Sequence, residues 1–151
     1  MRIDDVHAVE ARAPPEAVWE AVQATLLKSF AGPRAERSAR WLGCSVTASG
    51  GRLPAVGATI PGFRVVESEA PRRLVLGGAH RFSAYTLTFE IEPRPGGSVL
   101  RAVTAAAFPG ILGALYRGML FLAHGPFTRR MLRAAARRAE RLTRSPMPGT
   151  P

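Results

Sequence analysis

The chain has 151 residues, of which 46% are hydrophobic and 21% charged; this is the arithmetic of one globular domain and excludes a disordered chain or a stapled mini-protein. Cys44 is its one cysteine, so an intrachain disulfide, a cysteine zinc site and a CxxC redox pair are excluded too. The formal charge of +10 comes almost wholly from arginine, since Lys28 is the one lysine among 21 basic residues.

Seven of those arginines, Arg129, Arg130, Arg133, Arg137, Arg138, Arg141 and Arg144, are offset only by Glu140. A basic stripe attracts nucleic acid or anionic lipid, but on a terminal helix it reads first as a solvated face. Nucleic-acid binding is set aside, because no helix-turn-helix, RRM or stacking-aromatic pattern accompanies the charge. Asp4 and Asp5 stand where a signal peptide needs a basic patch and an apolar run, so a cytoplasmic location is expected.

In chain order, residues 2–12 predict a first strand, with Ile3, Val6 and Val9 in imperfect alternation. Pro14-Pro15-Glu16 ends it and presets a helix, whose apolar face is Val18, Trp19, Val22 and Leu26. Residues 31–39 predict a short second helix or a loop. Residues 41–46 are apolar enough for a second strand, closed by Ser49-Gly50-Gly51. Short strands follow over 58–60, 63–69, 73–80, 83–92 and 98–107, separated by turn residues, as in an antiparallel sheet. The clearest alternates Tyr85, Leu87, Phe89 and Ile91 with Thr86, Thr88, Glu90 and Glu92, one dry face and one wet. From Ile111 to Thr143 the chain is written in helix formers, interrupted by Gly125-Pro126, where a kink is expected. The domain is read as 1–144, with a frayed tail over 145–151.

Three stretches carry a resemblance: Ala13-Pro14-Pro15-Glu16-Ala17-Val18-Trp19, the strand ending Ala106-Ala107-Phe108-Pro109-Gly110, and the terminal helix from Leu115-Tyr116-Arg117 to Ala139-Glu140. With this element order, nearly the whole chain resembles the START/polyketide-cyclase-like (SRPBCC) superfamily. The resemblance implies an α+β helix-grip fold: a curved antiparallel sheet of six to seven strands wrapped around a long C-terminal helix, with one or two short helices after the first strand. It also implies a cavity between sheet and helix that takes lipids, polyketides or similar apolar molecules; some members are cyclases or aromatases.

No catalytic residue is assigned from the sequence. There is no GxSxG motif, and the paired glycines at 50–51, 77–78 and 96–97 read as turn glycines rather than phosphate cradles. His7, His80 and His124 lie at no ligand spacing, so neither metal nor cofactor is expected. The long helix is more informative. At 100° per residue, Tyr116, Leu120, Phe127, Met131 and Leu142 share a face with Arg117 and His124, which are seven residues or roughly 10 Å apart. If the helix is continuous, Arg117 and His124 turn inward and can fix a carboxylate or carbonyl on an apolar ligand. If Gly125-Pro126 resets the phase, Leu112, Leu115, Met119 and Leu122 turn inward instead. Trp19 and Trp41 read as packing anchors, and Cys44 as an inert apolar residue.

The resulting expectation is a protein that binds a small apolar molecule, as carrier, sequestering protein or sensor. Its candidate ligand contacts are Trp41, His80, Tyr85, Leu87, Phe89, Tyr116, Arg117, Leu120 and His124. Two alternatives stand beside it: a cyclase or aromatase using cavity Tyr, His or Arg groups, and a module using the C-terminal helix for weak anionic membrane contact or a homodimer.

Overall fold

Proline and glycine set the boundaries of the helices. The computed structural model describes residues 2–107 and 110–144, with side chains over 4–107 and 125–144. Strand β1 (Arg2–Ala11) leads into helix α1 (Pro15–Phe30), where Pro15 sits in the first turn and the Pro14 carbonyl accepts the N–H groups of Ala17 and Val18 at 3.1 and 3.2 Å. A missing N–H costs nothing there, and Glu16 at the start and Lys28 at the end suit the helix dipole. Val18, Trp19, Val22 and Leu26 are buried, the face expected from their spacing.

Helix α2 (Pro33–Leu42) corrects the expected strand over 41–46. Pro33 opens it, and Gly43 closes it in the left-handed region at φ 71°, its N–H donating to the Ala39 and Arg40 carbonyls. That cap demands a residue without a Cβ penalty. Trp41 and Leu42 are therefore the last turn of a helix and not the start of a strand. Ala39 is the buried residue of α2, and Trp41, expected to anchor packing, is 80% exposed.

The sheet accordingly has six strands. After β1 come β2 (Thr59–Ile60), β3 (Phe63–Glu69), β4 (Arg73–His80), β5 (Ser83–Arg94) and β6 (Gly97–Ala107). Their order is β1-β6-β5-β4-β3-β2, antiparallel throughout. In β5, Leu87, Phe89 and Ile91 are buried, as the alternation requires. Thr88 departs from it. It lies on the outer face yet is buried, beside its register partners Val75 and Val103. The rest of that face is wet, with Glu90 bridging Arg73 at 2.9 Å and Arg101 at 3.6 Å; such exposed pairs contribute about 1 kcal/mol or less.

Helix α3 (Gly110–Arg144) runs through Pro126 without a break, so the Gly125-Pro126 pair does not end the helix. Its described half buries Thr128, Met131, Leu132, Ala135, Ala136 and Ala139 against α1 and the sheet. Met131 is buried as expected, but the expected face is corrected at Phe127 and Leu142, which are 44% and 49% exposed. The alanines let α3 approach α1 closely, which turns the larger residues at 127 and 142 outward. Two bonds tie the β1–α1 link to distant segments: the Ser98 hydroxyl donates to the Ala13 carbonyl at 2.8 Å, and the Arg12 N–H donates to Glu140 Oε2 at 3.2 Å.

The core is thus the inner face of the sheet under α1 and the second half of α3. Leu100, with no exposed surface, sits in its centre. Leu100→Ala is expected to cost about 2–5 kcal/mol, and Leu27→Ala, on an exposed side chain, within about 0.5 kcal/mol. Urea unfolding of both variants checks the contrast.

Candidate functional site

Pairing register places the inner-face residues in rows across the sheet. One row runs Leu74, Phe89, Ala102, and the next Leu76, Leu87; all are buried. Toward β1 both rows end on half-buried residues, His7 beside Ala102 and Thr104 and Asp5 beside Leu87, and the following row, Gly78, Tyr85 and Ala106, is half-buried, as is His80, whose register partner Ser83 is buried. The inner face is therefore buried around Leu74, Leu76, Leu87 and Phe89 and only half covered around Tyr85 and along β1.

Aromatic rings line that half-buried end. Phe63 meets Tyr85 edge-on at 5.3 Å between ring centroids, and Phe30 at 5.2 Å on its other side. Phe30 also touches Phe127 of α3 at 5.7 Å, while His80 lies 5.5 Å from Tyr85. Edge-to-face pairs of this kind add about 0.5–1.5 kcal/mol beyond area burial, so the wall is held in shape. Tyr85 is held twice, since its hydroxyl donates to the Gly62 carbonyl at 2.7 Å.

Gly78 makes that bond reachable. A Cβ there would fall onto the Gly62 carbonyl oxygen and 2.6 Å from the Tyr85 ring, so the ring crosses the strand where no side chain stands. Gly78→Ala is expected to cost about 1–3 kcal/mol, because the atom it meets first is backbone and cannot swing aside. Urea unfolding measures the loss, and tyrosine fluorescence or NMR reports release of the Tyr85 hydroxyl.

His80 accepts the Phe82 N–H on Nδ1 at 3.1 Å, which puts the ring hydrogen of neutral His80 on Nε2. Burial holds its pKa below the usual 6.5. Between the lowered folded value and 6.5 the unfolded chain binds more protons, so this contribution is present above about pH 6.5 and is lost as pH falls through the folded value. His80→Gln is therefore expected to lose less stability than the parent on acidification from about pH 7.5 to 5.5. Urea titrations at the two pH values give the difference.

A second polar group borders the site from β1. His7 Nε2 donates to Asp5 Oδ2 at 2.8 Å, and Arg129 Nε of α3 donates to His7 Nδ1 at 3.4 Å. Both ring nitrogens are engaged, which ties β1 to α3. In the sequence Asp5 counted only against a signal peptide and His7 only against a metal, though residues two apart on a strand share a face. Phe30 and Phe63 were missed as well, for they meet Tyr85 only through tertiary packing.

Of the residues singled out from the sequence, the structure brings His80 and Tyr85 together and places Leu87 and Phe89 in the buried rows beside them. Trp41 stands apart, exposed on α2. Tyr116, Arg117, Leu120 and His124 lie outside the residues whose side chains are described. Among the described residues no group of three His, Cys, Asp or Glu side chains could hold a metal, and no helix is long and apolar enough to cross a membrane.

Solved structures share this architecture. Over 95% of the chain, StfQ, a di-domain ARO/CYC from the steffimycin biosynthetic pathway, superposes with a TM-score of 0.65 at 14% identity. BexL, a di-domain ARO/CYC from the BE-7585A biosynthetic pathway, superposes over 92% with a TM-score of 0.61 at 16% identity. The chain spans about half of each, 52% and 50% respectively. Protein NE0264 from Nitrosomonas europaea matches end to end, with 95% of this chain and 97% of that one covered, a TM-score of 0.59 and 17% identity. No protein-family model and no curated protein matches the sequence. The chain has the START/polyketide-cyclase-like helix-grip fold.

Proposed function

We propose that the protein binds a small apolar molecule at the half-buried end of the sheet's inner face, as a carrier, sequestering protein or sensor. The observation that carries this reading is the change along β4 and β5 from buried Leu74, Leu76, Leu87 and Phe89 to the half-buried wall of Phe63, Tyr85 and His80. A folded core closes over its apolar surface. A wall left partly uncovered and lined by rings, with few polar groups, has the composition of a ligand pocket. Two ARO/CYC proteins of biosynthetic pathways share the fold, which supports a small organic ligand. On this reading Tyr116, Arg117, Leu120 and His124 complete the wall from α3, an assignment that rests on sequence periodicity alone.

One observation favours a cyclase-type reaction as a second reading: His80 and Tyr85 stand with centroids 5.5 Å apart, two titratable groups side by side. The Tyr85 proton is directed at Gly62 and His80 Nδ1 accepts the Phe82 N–H, however, so as placed both groups are engaged within the protein. Binding is accordingly the primary reading.

Fluorescence titration with an environment-sensitive naphthalene dye tests it. Saturable binding near one dye per chain is expected, and Ala106→Trp, which fills the half-buried row, is expected to abolish it while circular dichroism stays unchanged. Equal binding by the folded variant would overturn the proposal.

A further inference from the structure

The flank where α1 meets α3 carries a hollow of about 360 Å³ with five cationic side chains on its wall, Lys28, Arg130, Arg137, Arg138 and Arg141. Among the described residues no carboxylate lines it. Glu140, the one acid in the described half of α3, is turned to the β1–α1 link, where it accepts the Arg12 N–H. The floor is apolar, made by Phe127, Met131 and Ala134, and Phe127 is nearly half exposed. A wider hollow of about 670 Å³ adjoins it, sharing Phe127, Arg130, Ala134 and Arg137 and bounded also by Arg129 and Arg133, again without an acid among the described residues. No residue of the sheet lines either one.

Like charges gathered on one wall repel each other and weaken the folded state. A solvated helix face accounts for scattered arginines, but not for a concave set around an exposed aromatic ring. The planar guanidinium fork matches phosphate and carboxylate oxygens two at a time, and a hollow of this size falls within the range of small-molecule sites. Concavity also favours a single molecule over a bilayer, which meets a protein through protruding surface. We propose that this flank is a second binding site, separate from the inner face, for the phosphate or carboxylate head of an amphiphile whose apolar part lies over Phe127, Met131 and Ala134. The bound anion relieves the repulsion and links occupancy to stability.

Calorimetric titration with dodecyl phosphate below its micellar concentration tests this. The titrated protein is the full chain carrying Ala106→Trp, so that the inner face is filled. Saturable binding is expected, weakening with salt as exposed charges are screened over about 8 Å at 0.15 M. Adding Arg130→Gln and Arg137→Gln is expected to weaken it about tenfold. Phe127→Ser, as a second variant, is expected to weaken dodecyl phosphate and leave the feebler binding of inorganic phosphate unchanged. The proposal is overturned if the arginine variant binds as before, or if dodecanol binds as well as dodecyl phosphate. It is also overturned if Ala106→Trp alone removes binding, which places the amphiphile on the inner face. Adsorption to phosphatidylglycerol vesicles without uptake of the soluble amphiphile would make the flank a membrane contact instead. Failure here leaves the dye experiment on the inner face untouched.

Discussion

An antiparallel sheet with one dry face has to cover it, and here the cover is α1 together with the second half of α3. Ala135, Ala136 and Ala139, with Met131 and Leu132, are buried where α3 packs on α1, β1 and β6. Larger residues in place of the alanines would hold the helix away from α1 and β1. Close approach at one end is what fixes the helix direction, and with it how much of the inner face stays available at the other. The same geometry turns the rest of the helix circumference outward, and the arginines of the flank stand there.

The half-buried end is shaped by ring packing more than by polar bonds. Phe127, Phe30, Phe63, Tyr85 and His80 form a continuous chain of contacts across α3, α1, β3, β5 and β4. Each ring comes from a different element, so the wall depends on tertiary structure and not on any local motif. Tyr85 closes the chain by reaching over Gly78 to the turn at Gly62.

That distribution explains what was legible in advance. β5 was readable from alternation, β3 and β4 from flanking turns, and α1 from Pro15 and its apolar spacing, because those signals are local. Trp41 misled, since an apolar pair at the end of α2 looks like the start of a strand until Gly43 is read as a cap. On α3, Met131 was read correctly, but Phe127 and Leu142 drew the expected face toward themselves by size, whereas much of the buried stripe is Thr128, Ala135, Ala136 and Ala139, which carry little hydrophobic signal. The site was half legible. His80 and Tyr85 were named from strand alternation, but Phe30 and Phe63 are distant from them in sequence, and the Asp5–His7 pair has no partner until α3 supplies Arg129.

The position of β1 bears on how the chain assembles. Its pairing partner is the last strand, with Ala11 opposite Ser98 and Arg2 opposite Ala107, and the link that follows it is fastened by Ser98 and Glu140. During synthesis β1 emerges first and waits for nearly the whole sheet before its backbone groups find their partners. The meander from β3 to β6 closes through short turns between neighbours in sequence, while β1 closes the largest loop in the fold, at the greatest cost in chain entropy. The sheet is therefore expected to form from its middle outward, with the N-terminal strand added as an edge once β6 is in place.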